Sequence, residues 1–148
     1  MKASLKEFIQ TGALGALRPG DTRQKVEEYL GPPREWHING KTPLTSDIWK
    51  YGDVEFYFNV DALWMIFMDD FETPKGDQTL ELDPWIISGQ LTSAQFEEHL
   101  RASGTTYRKE DFPFTDNGVR LITTAGTTLT FSSEDAANPT LRVVHRQI

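Results

Sequence analysis

The 148-residue chain contains no cysteine. That excludes disulfide staples, thiolate nucleophiles and cysteine-bound metal. Histidine is scarce: His37, His99 and His145 are far apart, and none stands in a His-x3-His ligand spacing. Long apolar runs are missing as well. The longest, Ala62 to Met68, has seven residues, against about 20 for a membrane span. Met1 to Gln10 carries no apolar signal-peptide core and no lipid-attachment cysteine, so the expected location is the cytoplasm, with no membrane partner. The strings Gly-x-Ser-x-Gly, Gly-x4-Gly-Lys, Gly-x-Gly-x-x-Gly and His-Glu-x-x-His are all absent. The chain is therefore expected to be no enzyme and to need no cofactor; a hydrolase with scattered catalytic residues is the remaining catalytic alternative. Asp69-Asp70-Phe71-Glu72 lacks the glycine-centred Asp-x-Asp-x-Asp pattern of a calcium loop. It reads as solvated loop charge, and no metal site is expected.

Carboxylates outnumber cations, giving a net charge of −7. Such a surface repels nucleic-acid phosphates and favours a basic protein partner, although acidity alone also keeps a small domain soluble. A chain of this size hides about 70% of its unfolded surface and needs no staples.

The punctuation predicts an α+β fold. Leu5, Phe8 and Ile9 mark a short helix within residues 3–11. After Pro19-Gly20, Asp21 or Thr22 caps a second helix whose Val26, Tyr29 and Leu30 share one face. Gly31-Pro32-Pro33 stops it. His37 to Asp47, including Asn39-Gly40, reads as a polar loop. Residues 47–58 then form a hairpin about a Gly52-Asp53 loop, suited to a type II′ turn. That register pairs Tyr51 with Val54, Lys50 with Glu55, and Trp49 with Phe56. It places Tyr51, Val54, Trp49, Phe56 and Phe58 on a buried face, with Ile48, Lys50, Glu55 and Tyr57 opposite. Leu63 to Asp69 is a third strand. The order recurs more weakly: a helix capped by Thr92 or Ser93 and ended by Gly104, a loop from Arg108 to Asn117, and strands at 119–123, 127–131 and 141–146. A three-residue Thr124-Ala125-Gly126 loop pairs Leu121 with Leu129 and Val119 with Phe131. The expectation is one domain of two tandem repeats, residues 1–70 and 85–148, joined by an acidic connector at 71–84. Each repeat is a helix, or helix pair, on a three- to four-stranded antiparallel sheet with one face open.

The pattern Leu17-x-x-Gly20-x-Thr22-x3-Val26-x3-Leu30-Gly31-x-Pro33 resembles the BamE/SmpA outer-membrane lipoproteins and the tandem repeats of beta-lactamase inhibitory protein. That resemblance implies helix-plus-sheet modules that bind proteins and catalyse nothing. With Ile48-Trp49-Lys50-Tyr51-Gly52 and Asp83-Pro84-Trp85, the whole chain also looks like a family of small bacterial cytoplasmic proteins, some suspected to be immunity proteins of toxin systems. The missing anchor cysteine and disulfides mean that neither export nor the inhibitor's target carries over.

The candidate partner-binding residues are Lys50, Glu55 and Tyr57 on the first open face, and Arg120, Thr128 and Thr130, with Ile122, on the second. Trp36 and Trp85, beside prolines and turns, are candidate rim anchors; packing under a loop is the rival reading. Trp49 and Trp64 read as core. His99 and His145 read as packed or half-buried, and His37 as a loop residue. The expected function is a non-catalytic protein-binding module, an immunity protein occluding a cognate basic toxin. The alternative is a stand-alone domain that binds a small ligand or forms a homodimer.

Overall fold

A computed structural model describes residues 1–37, 41–114, 117–133 and 138–148. Asn39-Gly40 lies outside them. The helices are α1 (Leu5–Thr11), α2 (Arg23–Leu30) and α3 (Ser93–Ala102). The strands are β1 (Lys2–Ser4), β2 (Glu35–His37), β3 (Ile48–Tyr51), β4 (Val54–Asn59), β5 (Ala62–Asp69), β6 (Glu81–Asp83), β7 (Tyr107–Phe112), β8 (Gly118–Thr123), β9 (Thr128–Ser132) and β10 (Thr140–Gln147).

Eight strands form one antiparallel sheet in the order β2-β3-β4-β5-β10-β9-β8-β7. The fold is thus mixed α+β, but the two separate sheets expected from the sequence are a single one. The join is the pairing of β5 with β10, from Asp69↔Val143 to Met65↔Gln147. Apolar positions on both strands leave neither a solvated edge, so pairing them removes two sticky edges at once.

The β3–β4 hairpin has the expected register, Tyr51↔Val54, Lys50↔Glu55 and Trp49↔Phe56. Gly52 takes φ +65°. The β8–β9 loop is the expected three-residue one, with Leu121↔Leu129 and Val119↔Phe131. Four strands are additional to the expected elements. β1 pairs in parallel with β6 inside the acidic connector. β2 precedes the expected 37–47 loop and shares only His37 with it, and β7 takes up part of the expected 108–117 loop. None carries an apolar alternation. β7 is an edge strand bearing Arg108, Lys109, Glu110 and Asp111, charges that suit an edge exposed to water.

One face of the sheet is covered by the helices. The core between them holds Leu5, Phe8, Ile9, Val26, Leu30, Trp49, Phe56, Ile66, Phe96, Leu100, Leu129 and Phe131. The chain from Phe71 to Leu91 runs on this covered side too, and buries Leu80 and Ile87.

Both longer helices are anchored alike. Thr22 caps α2, accepting from the Lys25 N–H at 3.1 Å, and bridges Ala62 at the start of β5. Thr92 caps α3, accepting from the Gln95 N–H at 3.2 Å, and bridges Thr140 at the start of β10. α1 is held differently. The buried hydroxyls of Thr123 and Thr127 donate to the carbonyls of Ile9 and Phe8, both at 2.8 Å, and satisfy groups at the helix C-terminus.

Candidate functional site

The register fixes which residues share the uncovered face. One row reads Glu35, Lys50, Glu55, Phe67, His145, Thr128, Ile122 and Arg108 from edge to edge. Flanking rows add Ile48, Tyr57 and Met65 on one side and Asp69, Val143, Thr130, Arg120 and Glu110 on the other. The expected residues Lys50, Glu55, Tyr57, Arg120, Thr128 and Thr130 are therefore brought onto one continuous surface. Thr130 is itself buried there, between Val143 and Arg120.

Trp36 and Trp85 do not join them. Trp36 lies opposite Trp49, on the covered side at the sheet edge, and packs against the core. Trp85 packs edge-on against Phe96 and His99 of α3, with the Lys6 ammonium 5.8 Å from its ring. The packing rival is what these contacts describe. Trp64, read as core, is 36% exposed on the open face. The cause is a bulge: Tyr57 pairs with Met65 but Phe58 with Leu63, so Trp64 is an extra residue turned outward.

The open face has an aromatic spine. Trp64 stands edge-on to Tyr57 at 6.0 Å, Tyr57 to Phe67 at 5.8 Å, and Phe67 lies 6.3 Å from His145. A hollow of about 760 Å³ beside it is lined by Ile48, Tyr57, Phe58, Trp64 and Ile148, with Asp47 and Asn59 at its rim. Polar contacts brace Tyr57 within the spine. The Tyr57 hydroxyl donates to Glu55 Oε2 at 2.8 Å, and Lys50 Nζ lies 3.8 Å from the other carboxylate oxygen. Burial, and then this bond, push the Tyr57 pKa above its ordinary value. Burial also raises Asp69, reinforced by Glu55 and Asp70 and offset by Lys50.

The second half of the face is cationic. A hollow of about 460 Å³ is lined by Arg108, Glu110, Arg120, Ile122, Thr128 and His145, among others. Burial, and secondarily Arg120, lower the His145 pKa. The unfolded chain then takes up this proton first as the pH falls. Stability should be full above about pH 6.5, the ordinary histidine value, and decline below it. His145→Gln should flatten that part of the stability–pH curve measured by urea unfolding. An unchanged slope between about pH 7 and 5 would contradict a neutral, half-buried imidazole.

Among the described residues, no group of three or more His, Asp or Glu side chains is placed to hold a metal ion. No helix among them is long and apolar enough to cross a membrane. Trp64, Phe67, His145 and Arg108 are among the face residues that sequence reasoning did not select. Strand alternation gives their side of the sheet only once the bulge and the β7 pairing are known. Comparison with known proteins finds no matching family model, no matching curated protein and no matching solved structure.

Proposed function

We propose that the chain is a non-catalytic module that binds a protein partner through the open face of its sheet. The observation that supports this reading is the aromatic spine: Trp64, Tyr57, Phe67 and Met65 sit on a rigid sheet, uncovered, and are braced by Glu55 and Lys50. Aromatic and methionine side chains in a polar surround are the composition of an interface centre. Association through the sheet edges is disfavoured, because β2 is three residues long and β7 is charged.

We further propose that the scaffold is two tandem repeats. The matched anchoring of Thr22 to Ala62 and of Thr92 to Thr140 supports this, as does the mirrored strand order about β5 and β10. Such repeats accord with the resemblance of the Leu17–Pro33 motif to BamE/SmpA proteins and beta-lactamase inhibitory protein.

The proposed role is that of a cytoplasmic immunity protein, and the proposed partner is a basic toxin encoded by the adjacent gene. The face itself is nearly balanced, with Lys50, Arg108 and Arg120 against Glu35, Glu55, Asp69 and Glu110. The net charge of −7 therefore acts as a long-range steering field rather than as an acidic docking patch.

Calorimetric titration with the product of the adjacent gene should give a one-to-one complex with a Kd below about 1 μM. Absence of a complex, or failure to neutralise that neighbour's activity, defeats the reading.

A further inference from the structure

Several arginines have no carboxylate partner among the described residues, and most of these are exposed. Arg120 also lacks one. Its guanidinium lies 4.5 Å from the Phe112 ring centroid, and its Nε is buried with no hydrogen-bond partner. Glu110, opposite it on β7, leans to Arg108 instead, with Oε2 3.8 Å from the Arg108 Nε. Nδ1 of His145 is likewise buried and unpartnered. Both residues line the hollow of about 460 Å³, together with the Thr128 side chain and Arg108. Neither nitrogen is open to water, so neither opens into the hollow; what lines the hollow is three arginines, Arg108, Arg120 and Arg146, against one side-chain carboxylate, Glu110, in a chain of net charge −7.

We propose that this hollow is a binding site for an oxyanion, a phosphate or carboxylate group. Arg120 presents its planar donor set to the anion, Thr128 adds a hydroxyl donor and His145 adds an imidazole N–H. Phe112 holds the guanidinium plane. Around His145 the charged groups are Arg120 on β8, Arg108 and Glu110 on β7, Asp69 on β5, and Arg146 beside it on β10. An anion set among the arginines offsets the repulsion that Arg120 exerts on the imidazolium. Binding should therefore be coupled to proton uptake by His145. The site stands whether or not a protein docks on the face.

The test uses the full chain and follows the histidine ring resonances by NMR at constant ionic strength. Inorganic phosphate and acetate are titrated separately against chloride. The expected result is a saturable shift of the His145 signals with at least one of the two, and not with chloride, while His37 and His99 stay put. The His145 titration midpoint should rise by about one unit when the anion is saturating, equivalent to a tenfold preference for the charged ring. Saturation by phosphate alone assigns a phosphoryl ligand; saturation by acetate assigns a carboxylate. Arg120→Gln should weaken binding at least tenfold. Thr128→Val, which keeps the charge and shape, should weaken it about threefold and serves if Arg120→Gln does not fold. Unmoved His145 signals with both anions, or undiminished affinity in the folded variants, would overturn the proposal.

Discussion

Replacing Arg23 with alanine should lower stability by about 3–5 kcal/mol, from the loss of charge-assisted hydrogen bonds to backbone carbonyls together with the packing on two aromatic rings. Arg23 opens α2 and is 6% exposed. Its guanidinium donates to the carbonyls of Ser46 and Val60, both at 2.8 Å, and to that of Pro43 at 3.4 Å. It also stacks on Phe58 at 4.2 Å and Trp49 at 4.9 Å. Asp61, 3.9 Å from Nε, is largely exposed and supplies only a weak counter-charge. Burial lowers the Arg23 pKa, while Asp61 and Asp47 raise it, and an arginine stays charged throughout. Alanine would leave the buried Ser46 carbonyl and the part-buried Val60 carbonyl without this donor, and a void beneath two aromatic rings; the Pro43 carbonyl keeps the Ser46 N–H and the Trp49 indole N–H. Against a typical total of about 5–15 kcal/mol, that is a large fraction. Lysine should recover only part of the loss, since it lacks the planar fork. Urea unfolding measures the effect; a loss under about 1 kcal/mol would show that Arg23 does not tie α2 to the β2–β3 and β4–β5 loops.

The second large effect is expected at the β3–β4 turn. Gly52 has φ +65°, and a Cβ there would lie 2.5 Å from the backbone of Gly76 and Lys75. Those atoms cannot rotate away. The connector is also tied to this turn: the Asp53 N–H donates to the Lys75 carbonyl at 2.8 Å, and the Asp53 carboxylate accepts from the Lys75 N–H at 2.7 Å. Gly52→Ala should cost about 1–3 kcal/mol from overpacking and about 1–2 more from the left-handed backbone. A total near 3 kcal/mol would lower the Tm by about 6–12 °C in a chain of this length. Gly104→Ala isolates the backbone part, since Gly104 has φ +68° with nothing within 4 Å of its Cβ position. It should cost only about 1 kcal/mol. Equal losses at the two positions would contradict the docking of the connector on the turn.

The sequence was most readable where one local signal decided the outcome. Thr22 and Thr92 are caps with the next helix directly behind them, and Gly52-Asp53 sits between two alternating strands. Cross-strand pairing of Lys50 with Glu55 followed from that turn alone. Signals spread across the chain were not readable. β1 and β6 pair through backbone groups without any side-chain pattern. β2 and β7 are edge strands whose polar residues look like loop. The β5–β10 seam depends on two strands far apart in the chain. For the face, alternation placed Lys50, Glu55, Tyr57, Arg120 and Thr128 correctly. It misplaced Trp64, because a bulge leaves no trace in apolar spacing. It also gave no reason to bring Arg120 near His145, which needs the β8–β9–β10 register. Trp36 and Trp85 were drawn into the site by residue type, whereas their turns fold them onto the covered side.

The most direct test of the open face as the docking surface is the affinity for the adjacent gene product when the spine is cut. Tyr57→Ala with Trp64→Ala should weaken the complex by at least tenfold, and by about a hundredfold if both are dominant contacts. Trp36→Ala and Trp85→Ala, on the covered side, should change it by less than about threefold. The contrary pattern, an unchanged affinity in the folded Tyr57/Trp64 double variant with a large loss at Trp36 or Trp85, would place the interface on the other side of the molecule.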